Sequence, residues 1–341
     1  MASTSTIPYA IRPFEATDED AVLSLLRSAL GAGPLGRRTA EFFRWKHLEN
    51  PFGRSLMLVA DADDQIIGLR AFMRWSFRAA GQEIRAVRAV DTATHPDHQG
   101  RGIFSRLTSE AVNLLRADTD LVFNTPNEKS LPGYLKLGWR IVGRAPVQLR
   151  IKHPARVIRN LKSVRHGTED HPAVADQVGT HDISGILRYP QIAGLLATTD
   201  LERRLTTSRS AEFLDWRYGS SSMLNYTIEL EHEGHDLPAI AVTRSRTRGR
   251  LRETSVTELL ITPELPRAGT NLLRRIAHAA GSDHVSCSFA RSTLQRRSAG
   301  RAGFIPIPIG PVLVALPLRP LSIDPFDRGS WSLSLGDLEL F

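Results

Sequence analysis

The sequence predicts an α/β (α+β) fold laid down twice along the chain. Each copy is a mixed, mostly antiparallel sheet with one splayed parallel strand pair and flanking helices. Three observations carry this expectation. A β-branched run, Val90 to His95, stops at Pro96, passes a turn holding Gly100 and Gly102, and continues as Ile103, Leu107, Ala111, Leu114 and Leu115 at helical spacing. The helix so formed delivers the chain to another strand, Leu121 to Thr125, which must run parallel to the strand before the turn. Several of these landmarks then return about 167 residues later.

Ile7 to Phe14 reads as a first strand, and Thr17 is a plausible N-cap for a helix whose first turn holds Asp18, Glu19 and Asp20. Val22, Leu23, Leu25, Leu26 and Leu30 give that helix its apolar face, and Gly31 to Leu35 ends it. A second helix, Thr39 to Glu49, must stop before Pro51. Leu56 to Ala60 and Ile66 to Phe77 alternate as strands around an acidic turn, and Gly81-Gln82 reverses the chain into Ile84 to Thr94. Where the fourth and fifth strands splay, the fourth loses a ladder partner and offers free N–H and C=O groups.

With 341 residues, 41% of them hydrophobic, the chain is long enough for two ordinary domains. The longest apolar run, Phe304 to Leu318, is cut by four prolines, and the first residues lack a charged and then apolar leader, so a cytoplasmic protein without membrane spans is expected. Cys287 is the only cysteine, which excludes an internal disulfide and a thiolate metal cluster; its alternating apolar surroundings mark it as a buried small residue. His166 and His171 read as solvated loop residues, and His232-Glu233-Gly234-His235 as a hairpin tip, so no metal is expected. The net charge of +8 suits an anionic ligand, but the basic residues are scattered without interleaved aromatics, which argues against nucleic acid.

The glycine turn has the chemistry of a phosphate grip. Gly100 and Gly102 leave it free of side-chain bulk at the positive end of a helix, so successive amides can point at one anion. It is not a Walker turn, because Ile103 and Phe104 stand where Lys and Ser/Thr belong, and the dinucleotide fingerprint fails at Ser105. The order Gln/Arg-x-x-Gly-x-Gly/Ala is met by Gln99 and Gly102, with Phe104 in place of the small residue. Downstream, Asn127, then Tyr134, then Gly138-Trp139 form a second signature, and Thr94-His95-Pro96 closes the preceding strand. Together these motifs resemble the GNAT acyltransferase superfamily, in the branch whose loop reads Gly-Ile-Phe, over about residues 8 to 150.

That resemblance implies acetyl-coenzyme A as acyl donor, an amine of a small molecule as acceptor, and direct attack without an acyl-enzyme. It implies that Gln99, Gly100, Arg101, Gly102, Ile103, Phe104 and Ser105 hold the diphosphate, while the backbone of Thr92, Ala93 and Thr94 and the side chain of Asn127 hold the pantetheine arm. An Asx turn capping the next helix is the rival role for Asn127. Tyr134 would protonate the leaving thiolate, and an amide near Ala93 or Thr94 would meet the oxyanion. Arg88 occupies the place where several relatives carry a glutamate base, leaving Asp91, which could equally pair with a cation, or a water relay. Trp45 and Arg44 lie toward the acceptor side in such folds. The carboxylate of Phe341 is a more remote candidate base.

The repeat aligns Ala40 to His47 with Ala211 to Tyr218 at an offset of 171, and Thr94-His95-Pro96, Gly102 and Gly138-Trp139 with Ile261-Thr262-Pro263, Gly269 and Gly303-Phe304 at offsets within 165 to 168. Pro266, Ala268 and Ala299 replace Gln99, Arg101 and Tyr134, so the second copy is expected to bind no coenzyme A. The expected division is a catalytic domain over 1–152, a linker over 153–200, a degenerate domain over 201–320 and a tail over 321–341. Two alternatives remain at this point: a non-catalytic coenzyme A-binding or interaction protein, and a Fem-like aminoacyl-tRNA-dependent transferase, which the loop from Gln99 to Phe104 disfavours.

Overall fold

The computed structural model describes residues 8–31, 38–166, 170–172, 183–200, 203–219, 224–279 and 281–338. In chain order its elements are β1 (Ala10–Pro13), α1 (Glu19–Leu30), α2 (Ala40–His47), β2 (Leu56–Ala62), β3 (Gln65–Ala79), β4 (Gln82–Thr94), α3 (Ile103–Leu115), β5 (Leu121–Asn124), α4 (Leu131–Lys136), β6 (Arg140–Arg144), β7 (Val147–Ile151), α5 (Pro154–His166) and β8 (Asp170–Pro172). There follow α6 (Ile183–Ile186), α7 (Gln191–Asp200), β9 (Thr206–Thr207), α8 (Ala211–Tyr218), β10 (Thr227–Glu233), β11 (Asp236–Arg248), β12 (Leu251–Ile261), α9 (Pro266–Ala279), β13 (His284–Cys287), α10 (Leu294–Arg301), β14 (Ile305–Ile307), β15 (Val312–Pro317) and α11 (Leu335–Leu338).

The chain forms two mixed sheets with flanking helices, as expected, but the first takes β9 and β15 from the second half of the sequence and the second takes β7 from the first half. The first runs β1-β2-β3-β4-β5-β15-β6, with β9 beside β3; the second runs β10-β11-β12-β13-β7-β14, with β8 beside β11. The compact units are accordingly interleaved: Met1–Ser76, Ile84–Ile141 and Val314–Ser322 make one, and Phe77–Glu83, Val142–Leu313 and Ile323–Phe341 the other. These differ from the consecutive division at 152, 200 and 320, because strand pairing follows hydrogen bonds across the sheet rather than position along the chain. The stretch read as a linker carries α5, β8, α6 and α7, and His171 lies in β8, paired with Thr247 of β11.

In the first unit, Val22, Leu23, Leu25 and Leu26 of α1 bury one face against Met57, Val59, Leu69 and Ala71 of the sheet. Thr17 does not cap α1. A single 3-10 turn, Ala16–Asp18, precedes the helix, and Glu15 and Asp18 close a reciprocal capping box around it. Arg12 draws Asp18 into place at 2.7 Å. Thr39 caps α2 by accepting from the Phe42 amide. β15 completes this sheet by pairing Val314 to Pro317 with Asn124 to Leu121, and beyond it the Leu318 amide donates to the Asp120 carbonyl at 2.8 Å.

In the second unit, β12 and β13 form the parallel pair, from Glu253↔His284 to Val256↔Cys287. The glycine turn has no counterpart, since α9 starts at Pro266 and Gly269 is already helical. A Cβ at Gly269 would lie 2.2 Å from the Ile261 side chain, so this glycine serves close packing instead of a left-handed turn. Beyond the parallel ladder the chain's own later segment lines the gap: Ser288 donates to the Leu333 carbonyl, and a cavity of about 50 Å³ remains between Leu259, Leu260, Ser288 and Leu333. Cys287 is fully buried, and burial pushes its thiol well above the ordinary range, as befits a packing residue.

Candidate active site

The first sheet is forked. β4 and β5 pair in parallel only at Ala86↔Leu121, Val87↔Val122 and Arg88↔Phe123, whereas β4 runs on to Thr94. Asp91 breaks the extended backbone with φ 35°, a left-handed value that a non-glycine residue adopts only under constraint, as at a β-bulge. Past Arg88, then, the β5-facing edge of β4 through Thr92, Ala93 and Thr94 has no strand beside it.

At the mouth of the fork the chain passes a 3-10 turn, Pro96–His98, and enters α3. The His98 amide returns to the His95 carbonyl and the Gln99 amide to that of Pro96, while the Gln99 side chain donates to the Thr94 carbonyl at 3.3 Å. These two amides are therefore turned inward, and the expected cradle starts one residue later. Among the described residues the amides of Gly100, Arg101, Gly102, Ile103, Phe104 and Ser105 meet no acceptor. Gly100 and Gly102 have φ of 76° and 75°, and a Cβ on either would point into open space. Nη1 of Arg101 is enclosed without an acceptor. This geometry suits an anion: orphan donors, a helix N-terminus and an unpaired cation.

Two packing features hold it in place. Gly68 of β3 lets α3 lie close on the sheet, since a Cβ there would stand 2.7 Å from Ile103 and 3.1 Å from Leu107. Phe104 turns its ring away from the loop onto Gly133, where a Cβ would approach it to 3.0 Å, and meets Tyr134 edge to face at 5.6 Å. The bulky residue in the motif thus docks the cradle onto α4.

Tyr134 is 4% exposed and lies between Phe104 and Trp139. Its hydroxyl oxygen accepts from Nη1 of Arg70 at 2.8 Å, and the same nitrogen reaches Thr92 Oγ1. Asn127 takes the capping role: its side-chain oxygen accepts from the amide and hydroxyl of Ser130, leaving the amide nitrogen for any ligand. Asn124, at the end of β5 and 3% exposed, has a side-chain oxygen that meets no donor among the described residues. Arg70 and Asn124 join the candidate site only in the structure. The signal for Arg70 was a lone cation in the apolar run Ile66 to Met73.

Asp91 is committed elsewhere. Its Oδ2 pairs with Lys46 Nζ at 2.6 Å and His47 Nε2 at 2.9 Å. Burial alone would raise the carboxyl; the Lys46 charge and the His47 hydrogen bond outweigh it and hold the group far below the ordinary carboxylate range. Such a carboxylate is a poor proton acceptor near neutrality. Lys46 and His47 lie on α2 and Asp91 at the φ 35° kink of β4, so these pairs clamp helix to strand. Trp45 is 1% exposed against Phe42 and belongs to the core, whereas Arg44 is exposed and pairs with Glu19 at the surface. Phe341 lies outside the described residues.

Asp91→Asn is therefore expected to cost about 3 kcal/mol of stability by stranding a buried cation. A carboxyl held low in the fold contributes fully above its unfolded value of about 4 and less as pH falls below it. The gap between variant and wild type in thermal denaturation should therefore narrow from pH 6 to pH 3. A variant as stable as wild type at pH 6 would leave the clamp without support.

The comparisons with known proteins agree with this fold. The family described as "Acetyltransferase (GNAT) domain" matches residues 10–142. A structure from Enterococcus faecalis described as a probable N-acyltransferase superposes with TM-score 0.63 at 14% identity, over 91% of this chain and 73% of that one. A GCN5-related N-acetyltransferase from Anabaena variabilis gives TM-score 0.63 at 11% identity, covering 92% and 73%. One from Kribbella flavida gives 0.59 at 13%, covering 92% and 72%. No curated protein matches the sequence. At these identities the structures speak for the fold, and the family match speaks for residues 10–142, the stretch that holds the glycine turn. Among the described residues, no helix is long and apolar enough to cross a membrane and no cluster of metal-ligating side chains occurs.

Proposed function

We propose that the protein transfers an acetyl group from acetyl-coenzyme A to an amine of a small molecule by direct attack. The observation that carries this reading is the run of acceptor-less amides from Gly100 to Ser105 beside a fork whose inner edge is unpaired. Bound acetyl-coenzyme A supplies the thioester carbonyl and a thiolate leaving group.

The residues of this chain divide the remaining work. Amides from Gly100 to Ser105 and the Arg101 guanidinium would receive the diphosphate. The edge of β4 at Thr92 to Thr94 would pair with the amides of the pantetheine arm, with Asn124 Oδ1 and the Asn127 amide nitrogen as side-chain partners. A backbone N–H near Ala93 or Thr94 would stabilise the oxyanion. Tyr134 gives its hydroxyl proton to the sulfur as the C–S bond breaks and the C–N bond forms. Asp91 is not assigned the base role, and the amine proton passes to water. The second unit lacks a glycine turn between β12 and α9 and is assigned no donor site.

Titration calorimetry with acetyl-coenzyme A, followed by thiol release across a panel of primary amines, tests the reading. Tyr134→Phe is expected to keep donor affinity within about twofold and to lower kcat by about 100-fold. Donor binding without transfer to any amine would favour a coenzyme A-binding protein instead. Unchanged kcat in the variant would remove Tyr134 from the chemistry.

A further inference from the structure

Arg70 stands on β3 with its side chain wholly buried, and among the described residues no carboxylate pairs with it. Nη1 serves Tyr134 and Thr92, while Nε and Nη2 meet no acceptor. Aromatic faces surround the guanidinium, with its carbon 4.3 Å from the Phe72 ring centroid, 5.2 Å from Tyr134 and 5.7 Å from Phe104. These faces recover part of the desolvation cost. A buried cation without a counter-ion is still expensive to keep.

We infer that the missing counter-charge is one that exists only during turnover, and that Arg70 is a positioning residue acting through Tyr134. The inference rests on the proposed role of Tyr134 as proton donor. A guanidinium has five donors and no acceptor, so the Tyr134 oxygen accepts from it and must aim its own proton elsewhere. When Tyr134 yields that proton to the departing sulfur, the electron pair stays on a phenolic oxygen 2.8 Å from Nη1, walled in by rings. The proton shed by the attacking amine goes to water, and water returns one to the phenolate, which closes the cycle. Donors aimed at charge that develops only in the transition state raise kcat without tightening substrate binding.

The experiment compares wild type, Arg70→Met, Arg70→Lys, Tyr134→Phe and the Met/Phe double variant. Thermal denaturation, calorimetry with acetyl-coenzyme A and thiol release with amine acceptors are measured for each. Because Cys287 is buried, a thiol reagent reads coenzyme A alone. Arg70→Met orphans no acid, so its melting temperature is expected to hold or rise, with kcat about tenfold or more lower and donor KM and Kd within about twofold. Arg70→Lys keeps the charge without the fork and should recover part of the rate. In the Tyr134→Phe background the Arg70 change should have little further effect, the mark of action through one group.

Equal slowing in both backgrounds, or loss of fold and donor affinity together with rate, would make Arg70 a structural brace and overturn the inference. Full kcat in Arg70→Met, with donor binding intact in wild type, would overturn it alone. Failure of wild type to bind acetyl-coenzyme A would overturn the proposed function and this inference with it.

Discussion

Gly102→Asp is expected to abolish binding of acetyl-coenzyme A, with a loss of more than about 100-fold in affinity and a much smaller change in stability. Gly102 caps α3 in the left-handed conformation, φ 75° and ψ 7°. A side chain there costs about 1–2 kcal/mol in backbone strain, and aspartate tolerates that region better than most residues. The larger effect is electrostatic. Nothing lies within 4 Å of the Cβ position, so the carboxylate would project into the open space before the cradle, where the ligand's own negative charge must sit. Gly102→Ala separates the contributions: it carries the strain without the charge and should weaken binding only several-fold. Calorimetry with both variants at constant ionic strength makes the comparison. If aspartate and alanine weaken binding equally, or aspartate not at all, the diphosphate does not lie at this helix start.

A fragment ending at residue 152 is expected not to fold. It would contain the whole of the family match over residues 10–142 and still lack β15, which pairs residue for residue with β5 from Val314↔Asn124 to Pro317↔Leu121. Leu121, Val122, Phe123 and Asn124 are all at most 3% exposed in the complete chain. Without β15 this strand becomes a bare apolar edge, the usual template for aggregation. The fragment would also retain β7, whose partners β13 and β14 it lacks. Insoluble expression, or a soluble species without a cooperative thermal transition, is the predicted outcome. Supplying residues 153–341 in the same cells should restore soluble material. A monomeric, cooperatively melting fragment would show that β15 is dispensable to the first sheet.

The local chemistry of the candidate site was legible from the residues alone. A strand ending at Pro96, glycines at 100 and 102, and a helix marked by Ile103 and Leu107 are local facts, and the turn they form depends on backbone rules that act within a few residues. The direction of the fifth strand is legible too, because a short helical crossover forces it parallel to the fourth, whereas the fork itself shows only where the ladder ends at Arg88↔Phe123. Phe104 is an intermediate case. Its place in the motif was readable, but the notch at Gly133 that receives its ring is 29 residues away and becomes visible only when α3 and α4 meet.

By itself, then, the sequence determined the class of fold and the glycine turn between Pro96 and Ile103, since each depends on neighbours in the chain. Only the tertiary structure decided which partner each buried charge finds and which strand completes each sheet. Asp91 meets Lys46 and His47, Arg70 meets Tyr134, and β15 meets β5 across nearly 200 residues of intervening chain. The physical reason is shared. A desolvated charge or an unpaired strand edge must be satisfied by whatever group the fold brings within about 3 Å, and adjacency in space at that scale leaves no periodicity in the sequence to read.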